Sequence, residues 1–196
     1  PLAITQIYMK TYAACRHTHP TIEAALTLRE KYDIYPSDIT SIEVEAYKLA
    51  VAGHDHTDIL GISSAKMSLP FSVALALCTG SAGMEAYNGT NMTDKTILSL
   101  AKRVTVTENE ELSSLVPRKR ASILHLTMGD GTKLTCRVDY PKGEPENPLT
   151  DEEIEEKFVS LVTASGFTKE RCKDIIHTIQ QPYRGECKIE TEIKLK

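Results

Sequence analysis

A chain of 196 residues suits one domain, or a domain with an appendage. With 41% hydrophobic and 26% charged residues it is a folding rather than a disordered sequence, and a net charge of −4 lacks the basic face of a general nucleic-acid binder. No apolar run approaches the ~18 residues that cross a membrane, and the first residues carry no signal-peptide pattern.

Residues 4–14 read as a strand. A strand-like run so close to Pro1, with no initiator Met, reads as a chain cut from a longer one. Pro20 sits where a helix can begin, because a first turn does not use its missing N–H. Ile22, Ala25, Leu26 and Leu28 then supply an apolar helix side to about Tyr32. Ile42, Val44 and Ala46 alternate with Ser41, Glu43 and Glu45, the pattern of a half-buried strand. A polar stretch, Gly53 to Ser64, leads to a helix with Ser68 as N-cap and Pro70 in its first turn. Thr93 or Asp94 can cap a third helix with Ile97, Leu98 and Ala101, ahead of a short strand at Val104 to Thr107.

Leu124, Leu126 and Met128 alternate into Asp130-Gly131, and Leu134, Cys136 and Val138 alternate back, which predicts a hairpin. Prolines and a glycine from Pro141 to Pro148 predict a stiff, extended linker. Thr150 with Glu153 predicts a capping box for a helix carrying Ile154, Phe158, Leu161 and Val162 inward. Thr168 begins another, with Cys172, Ile175, Ile176 and Ile179 on one face. Two amphipathic helices beyond a linker need a surface to cover. The order predicts an α+β fold, a two-layer sandwich of helices on a mostly antiparallel or mixed sheet, followed by two C-terminal helices.

The five cysteines (Cys15, Cys78, Cys136, Cys172, Cys187) are odd in number, widely spaced and free of any C-x-x-C pair. Reduced thiols in a cytoplasmic protein are the simpler reading than a disulfide framework or a zinc ribbon.

Two stretches place cations just before expected helix starts: Arg16, His17 and His19 in the first, Lys66 in the second, with Lys10 upstream. Cations there are unfavourable by roughly 0.3–1 kcal/mol each. Together with unpaired N–H groups they suit an anion, so two such starts could hold a ligand with several carboxylates. A solvated surface cation is the plainer reading of either stretch alone. His17-x-His19 and His54-Asp55-His56-x-Asp58 also invite a metal reading, though a full ligand set needs more histidines at set spacings; polar loop surface is the plainer role for 54–58.

Lys10-x-Tyr12-x-x-Cys15-Arg16-His17-Thr18-His19-Pro20-x-Ile22-Glu23-Ala24-Ala25 closely resembles a signature of the MmgE/PrpD family. Ser64-Ala65-Lys66-Met67-Ser68-Leu69-Pro70-Phe71 and Tyr140-Pro141-Lys142-Gly143 through Asn147-Pro148 resemble two further blocks, in order. That family includes 2-methylcitrate dehydratases and cis-aconitate decarboxylases, with a large helical domain, a smaller α+β lid and an active site between them.

The resemblance implies a lid over 1–143, a linker over 144–149, helices at 150–182 that rejoin the helical domain, and a tail at 183–196. It further implies an N-terminal helical domain absent from this chain, a homo-oligomer, and a small polycarboxylate substrate. The resemblance implies no iron–sulfur cluster, and no other cofactor or metal is expected; charge and hydropathy predict no nucleic-acid or membrane partner.

Lys10 and His17 are the expected catalytic residues, with Arg16, His19, Lys66 and Ser68 expected to bind substrate. His17 suits proton transfer because imidazole titrates near neutral pH. Phe71 stands where the decarboxylase branch tends to have a tyrosine, which leans toward a hydro-lyase of the 2-methylcitrate dehydratase type. The alternatives are a decarboxylase or epimerase branch, or a non-catalytic anion-binding or regulatory module.

Overall fold

The structure, a computed structural model, describes residues 2–180. Two compact units divide the chain, the first ending at Leu149 and the second beginning at Thr150.

The first unit is built on four strands, β1 (Ile39–Ala46), β2 (Val104–Glu108), β3 (Ser122–Met128) and β4 (Lys133–Val138), in the order β2-β1-β3-β4. β1 runs parallel to β2 and antiparallel to β3, and β3 runs antiparallel to β4. The period-2 pattern sets the faces. Ile42, Val44 and Ala46 of β1 and Leu124 and Leu126 of β3 are buried, while Glu43 is exposed and Glu45 pairs with His125 at 2.8 Å on the polar face. The hairpin turn is local chemistry: Asp130 Oδ1 accepts from Thr132 N at 2.8 Å, and Gly131 takes the left-handed φ of +86°.

The helices of this unit are α1 (His19–Lys31), α2 (Lys48–Val51), α3 (Ile62–Met67), α4 (Leu69–Thr79), α5 (Gly89–Thr93), α6 (Lys95–Ala101) and α7 (Glu110–Leu115). α1 packs on β3, β4 and α4. α4 is apolar on every side, so it lies inside, with Leu69 through Leu77 all buried. Ser68 caps it as its sequence predicts, Oγ accepting from Phe71 N at 3.1 Å. Asp94 likewise caps α6, accepting from Thr96 N and Ile97 N. The α+β class and the mixed sheet agree with the sequence pattern.

The strand expected over residues 4–14 is absent. Ala3–Gln6 is a single 3₁₀ turn, and residues 7–15 run outside the sheet. Their backbone bonds go to loops: Met9 N donates to Gly143 O at 2.8 Å and Ala13 N to Ala82 O at 2.9 Å. Alternating apolar residues without a neighbouring strand have no face to bury, and Ile4 and Ile7 stay exposed.

The proline-rich stretch differs from an extended spacer as well. It is a run of turns tied back to the chain start, with Thr11 Oγ1 donating to Lys142 O at 2.8 Å and Lys142 N to Glu23 Oε2 at 2.5 Å. Gly143 makes this approach possible. Its φ is +93°, and a Cβ there would fall 2.0 Å from Met9 O. Gly143→Ala is therefore expected to push the two segments apart at a cost of about 1–3 kcal/mol. Urea unfolding checks it, and an unchanged midpoint would contradict the packing described.

In the second unit, α8 (Asp151–Ala164) starts from the capping box: Thr150 Oγ1 accepts from Glu153 N, and the Glu153 carboxylate accepts from Thr150 N at 2.7 Å. α9 (Lys169–Gln180) follows, with Thr168 Oγ1 accepting from Arg171 N. Cys172 is buried, while Ile154, Leu161 and Ile179 are exposed. The tail expected at 183–196, and Cys187, lie outside the described residues.

Candidate active site

The two cation-bearing stretches, far apart in sequence, meet in space. Cys15 N donates to Lys66 O at 2.8 Å, Leu69 N donates to His54 O at 2.7 Å, and Ser68 Oγ donates to His56 O at 2.5 Å. The segment before α1, the loop after α2 and the junction of α3 with α4 are thus sewn together through backbone groups. α1 puts Arg16 and His17 at this seam because a 3₁₀ turn, Arg16–Thr18, leads into it; Thr18 Oγ1 donates back to Cys15 O and closes that turn.

His17 is half-buried. Its Nδ1 shares a hydrogen bond with Tyr47 Oη at 2.6 Å, and its ring stands edge-on to Tyr47 and His54, with centroids 5.6 and 5.3 Å away. Nε2 has no partner among the described residues. Burial, and then the neighbouring His54, Arg120 and Arg16, hold the His17 pKa below its ordinary value, so the ring is neutral at neutral pH. Burial raises the Tyr47 phenol well above its usual range, so it stays protonated.

Arg16 is only 7% exposed. It forms an ion pair with Glu144 and lies over the Tyr8 ring at 5.0 Å. Burial lowers its pKa, the direction desolvation of a cation requires. Glu23, beside it, is raised by burial although Lys142 N and Tyr12 Oη donate to it. Arg120, two residues before β3, is felt by Arg16, His17 and Tyr47 alike, and has no ion-pair partner among the described residues. Sequence reasoning missed it. The basic run Arg118-Lys119-Arg120 before a strand was the available signal.

The remaining expected residues take other partners. Lys10 is exposed, its Nζ donating to Ala14 O at 3.3 Å. Lys66 meets Cys15 through its backbone, but its ammonium lies against Met84 Sδ at 3.4 Å and 5.9 Å from the Tyr87 ring. It also ends α3 rather than preceding α4 as a bare cation, and a helix C-terminus favours a positive charge. The penalty expected from the sequence does not apply there.

His19 is 0% exposed, with Nε2 on Ala14 O at 3.4 Å and the ring edge-on to Tyr12. Ser68 is also fully enclosed and engaged at both ends as a cap. Both hold the seam together and neither presents an atom at the surface. Phe71 is enclosed too, packed against Tyr87. Its missing hydroxyl is therefore a feature of the core, and carries no weight between reaction types. Among the described residues no three His, Cys, Asp or Glu side chains gather as a metal-ligand set, and no helix is long and apolar enough to cross a membrane.

Residues 12–181 match the family model described as the MmgE/PrpD C-terminal domain. The cis-aconitate decarboxylase of Aspergillus terreus is 26% identical over 180 residues, which make up 86% of this chain and 36% of that protein. The chain thus spans about a third of the length of that curated relative.

Proposed function

The chain belongs to the MmgE/PrpD family, and from that we propose that it is the lid portion of a lyase acting on a small di- or tricarboxylate. The observation that supports the reading best is the setting of His17: a neutral imidazole with an unengaged Nε2, in the field of the cations Arg16 and Arg120. A carboxylate held by cations lowers the cost of removing a proton from the carbon beside it, because negative charge develops toward that carboxylate in the transition state.

In the dehydration we favour, the His17 Nδ1–H donates to Tyr47 Oη, which leaves Nε2 as the base. Nε2 takes the proton from the carbon next to the carboxylate, and hydroxide leaves from the neighbouring carbon to give an alkene. Lys10, exposed and without an ion-pair partner among the described residues, supplies the proton that turns hydroxide into water. Arg120 and Lys66 bind carboxylate; Arg16, already held by Glu144, orients the seam and adds to the local positive field. His19 and Ser68 position the two loops. An N-terminal helical domain of the same protein would complete the site, in a cytoplasmic homo-oligomer with no resident cofactor.

Decarboxylation is the second reading, favoured by the name of the fungal relative. The same groups would then return a proton to carbon after CO2 has left. Assay of the intact protein against 2-methylcitrate, citrate and cis-aconitate, following alkene absorbance and CO2 release together, separates the two. Alkene formation without CO2 is expected, CO2 release selects the second reading, and failure to turn over or bind any polycarboxylate overturns both.

A further inference from the structure

Cys15 stands at the centre of the seam with no role in that chemistry, and its surroundings differ from those of the other described cysteines. Its Sγ lies 3.2 Å from His54 Nε2. His54 is only 7% exposed, and its Nδ1 sits 3.0 Å from Ala52 O. A carbonyl oxygen can only accept, so Nδ1 carries a proton, and the tautomer this selects turns its Nε2 lone pair toward the thiol. A sulfur with a base in hydrogen-bond reach, itself oriented by a third group, is the arrangement that activates a nucleophile.

Two cations share this neighbourhood. Arg16 follows Cys15 directly, and Arg16, Arg120 and Cys15 all act electrostatically on the one Tyr47 phenol. Arg16 is more than nine-tenths buried, and its Nη1 has no hydrogen-bond partner among the described residues. A buried guanidinium nitrogen without an acceptor is a place for an anionic oxygen. We propose that Cys15 and His54 form a nucleophile–base pair that makes Cys15 a covalent attachment site for small carboxylates bearing an electrophilic carbon.

The inference stands on the pair and its cations, independently of which reaction the lyase site performs. With a haloacetate the step balances simply. The Cys15 S–C bond forms as the carbon–halogen bond breaks, halide leaves, and the thiol proton passes to His54 Nε2. With an unsaturated carboxylate sulfur adds to the β-carbon, and the proton held on His54 goes to the α-carbon.

Cys78 and Cys136 are internal controls of similar exposure. Burial pushes the Cys78 thiol up to about 11 and also raises that of Cys136, and neither has an imidazole beside it. The intact protein is treated at neutral pH with limiting iodoacetate, or with its uncharged counterpart iodoacetamide, and alkylation at each cysteine is followed by peptide mass. Iodoacetate is expected to modify Cys15 at least about tenfold faster than Cys78 or Cys136. The iodoacetate-to-iodoacetamide rate ratio should also be higher at Cys15 than at the two controls. His54→Gln is expected to slow the Cys15 reaction by about tenfold or more.

Equal rates at the three cysteines would overturn the proposal without any variant having to fold. An unchanged rate in His54→Gln would remove the base, and an equal reagent ratio would remove the anionic ligand class. Peptide mass is read without turnover, so a failed lyase assay leaves this result interpretable.

Discussion

Replacing His17 by glutamine in the intact enzyme is expected to slow turnover of the acid substrate by about 10²–10⁴-fold, the usual worth of a positioned general base. Glutamine keeps a polar side chain beside Tyr47 but has no group that takes up a proton near neutral pH. The loss should fall on kcat, with KM little changed, because carboxylate binding rests on other residues. Lys10→Ala and Arg120→Ala give the contrast. Arg120→Ala should raise KM, since removing an unpaired cation weakens ground-state and transition-state binding alike. Lys10→Ala should lower kcat. If His17→Gln and Lys10→Ala both turn over at the unsubstituted rate, the site assignment is wrong, and only family membership remains.

A large loss of stability in acid is the second expectation, and it comes from His19. Burial, and then the nearby Arg16, push its imidazole from 6.5 down to about 3. Between those values the unfolded chain binds a proton that the folded one refuses, so stability rises with pH across this window. The contribution is complete above about 6.5 and is lost as pH falls toward 3, amounting to roughly 4–5 kcal/mol over the whole interval.

His17, also lowered, acts in the same direction, whereas Glu23, raised by burial, opposes it just above the ordinary carboxylate range. Urea unfolding of the protein and of His19→Asn at pH 7 and pH 4 isolates the effect. The variant should be less stable at pH 7, because it loses the packing against Tyr12, but should lose much less on acidification. An equal loss in both proteins would mean that His19 is not held neutral in the fold. No active-site role is needed for this result, which agrees with a histidine closed off from solvent.

His19 also illustrates why a residue beside a site is hard to tell from a residue in it. In the sequence it is one of two imidazoles flanking Thr18, with His17 expected to be catalytic and His19 expected to bind substrate. The turn Arg16–Thr18 sends His17 toward Tyr47 and His54 and His19 inward against Ala14 and Tyr12. The two rings accordingly pack against different partners.

Sequence alone determined the features whose partners lie within a few residues. The Ser68 cap with Pro70, the Thr150–Glu153 box and the Asp130-Gly131 turn each close a hydrogen bond between near neighbours, so the pattern of residues already contains the contact, whereas the choice of Asp94 over Thr93 as the cap of α6 came from the structure. The alternation in β1, β3 and β4 was legible because one face of the sheet is buried and the other is not. The family signature was legible for a related reason: its Lys10-to-Ala25 block is a single contiguous stretch.

What only the tertiary structure decided depends on pairs far apart in the chain. Whether residues 4–14 become a strand depends on a neighbouring strand, and the sheet closes without them, so their amides go to Gly143 and Ala82 instead. Arg120 joins His17 across about a hundred residues, Glu144 reaches back to Arg16, and His54 meets Cys15; no local pattern marks any of these. Backbone bonds to nearby residues can be read along the chain, but the field around an imidazole is set by whichever charges the fold brings beside it.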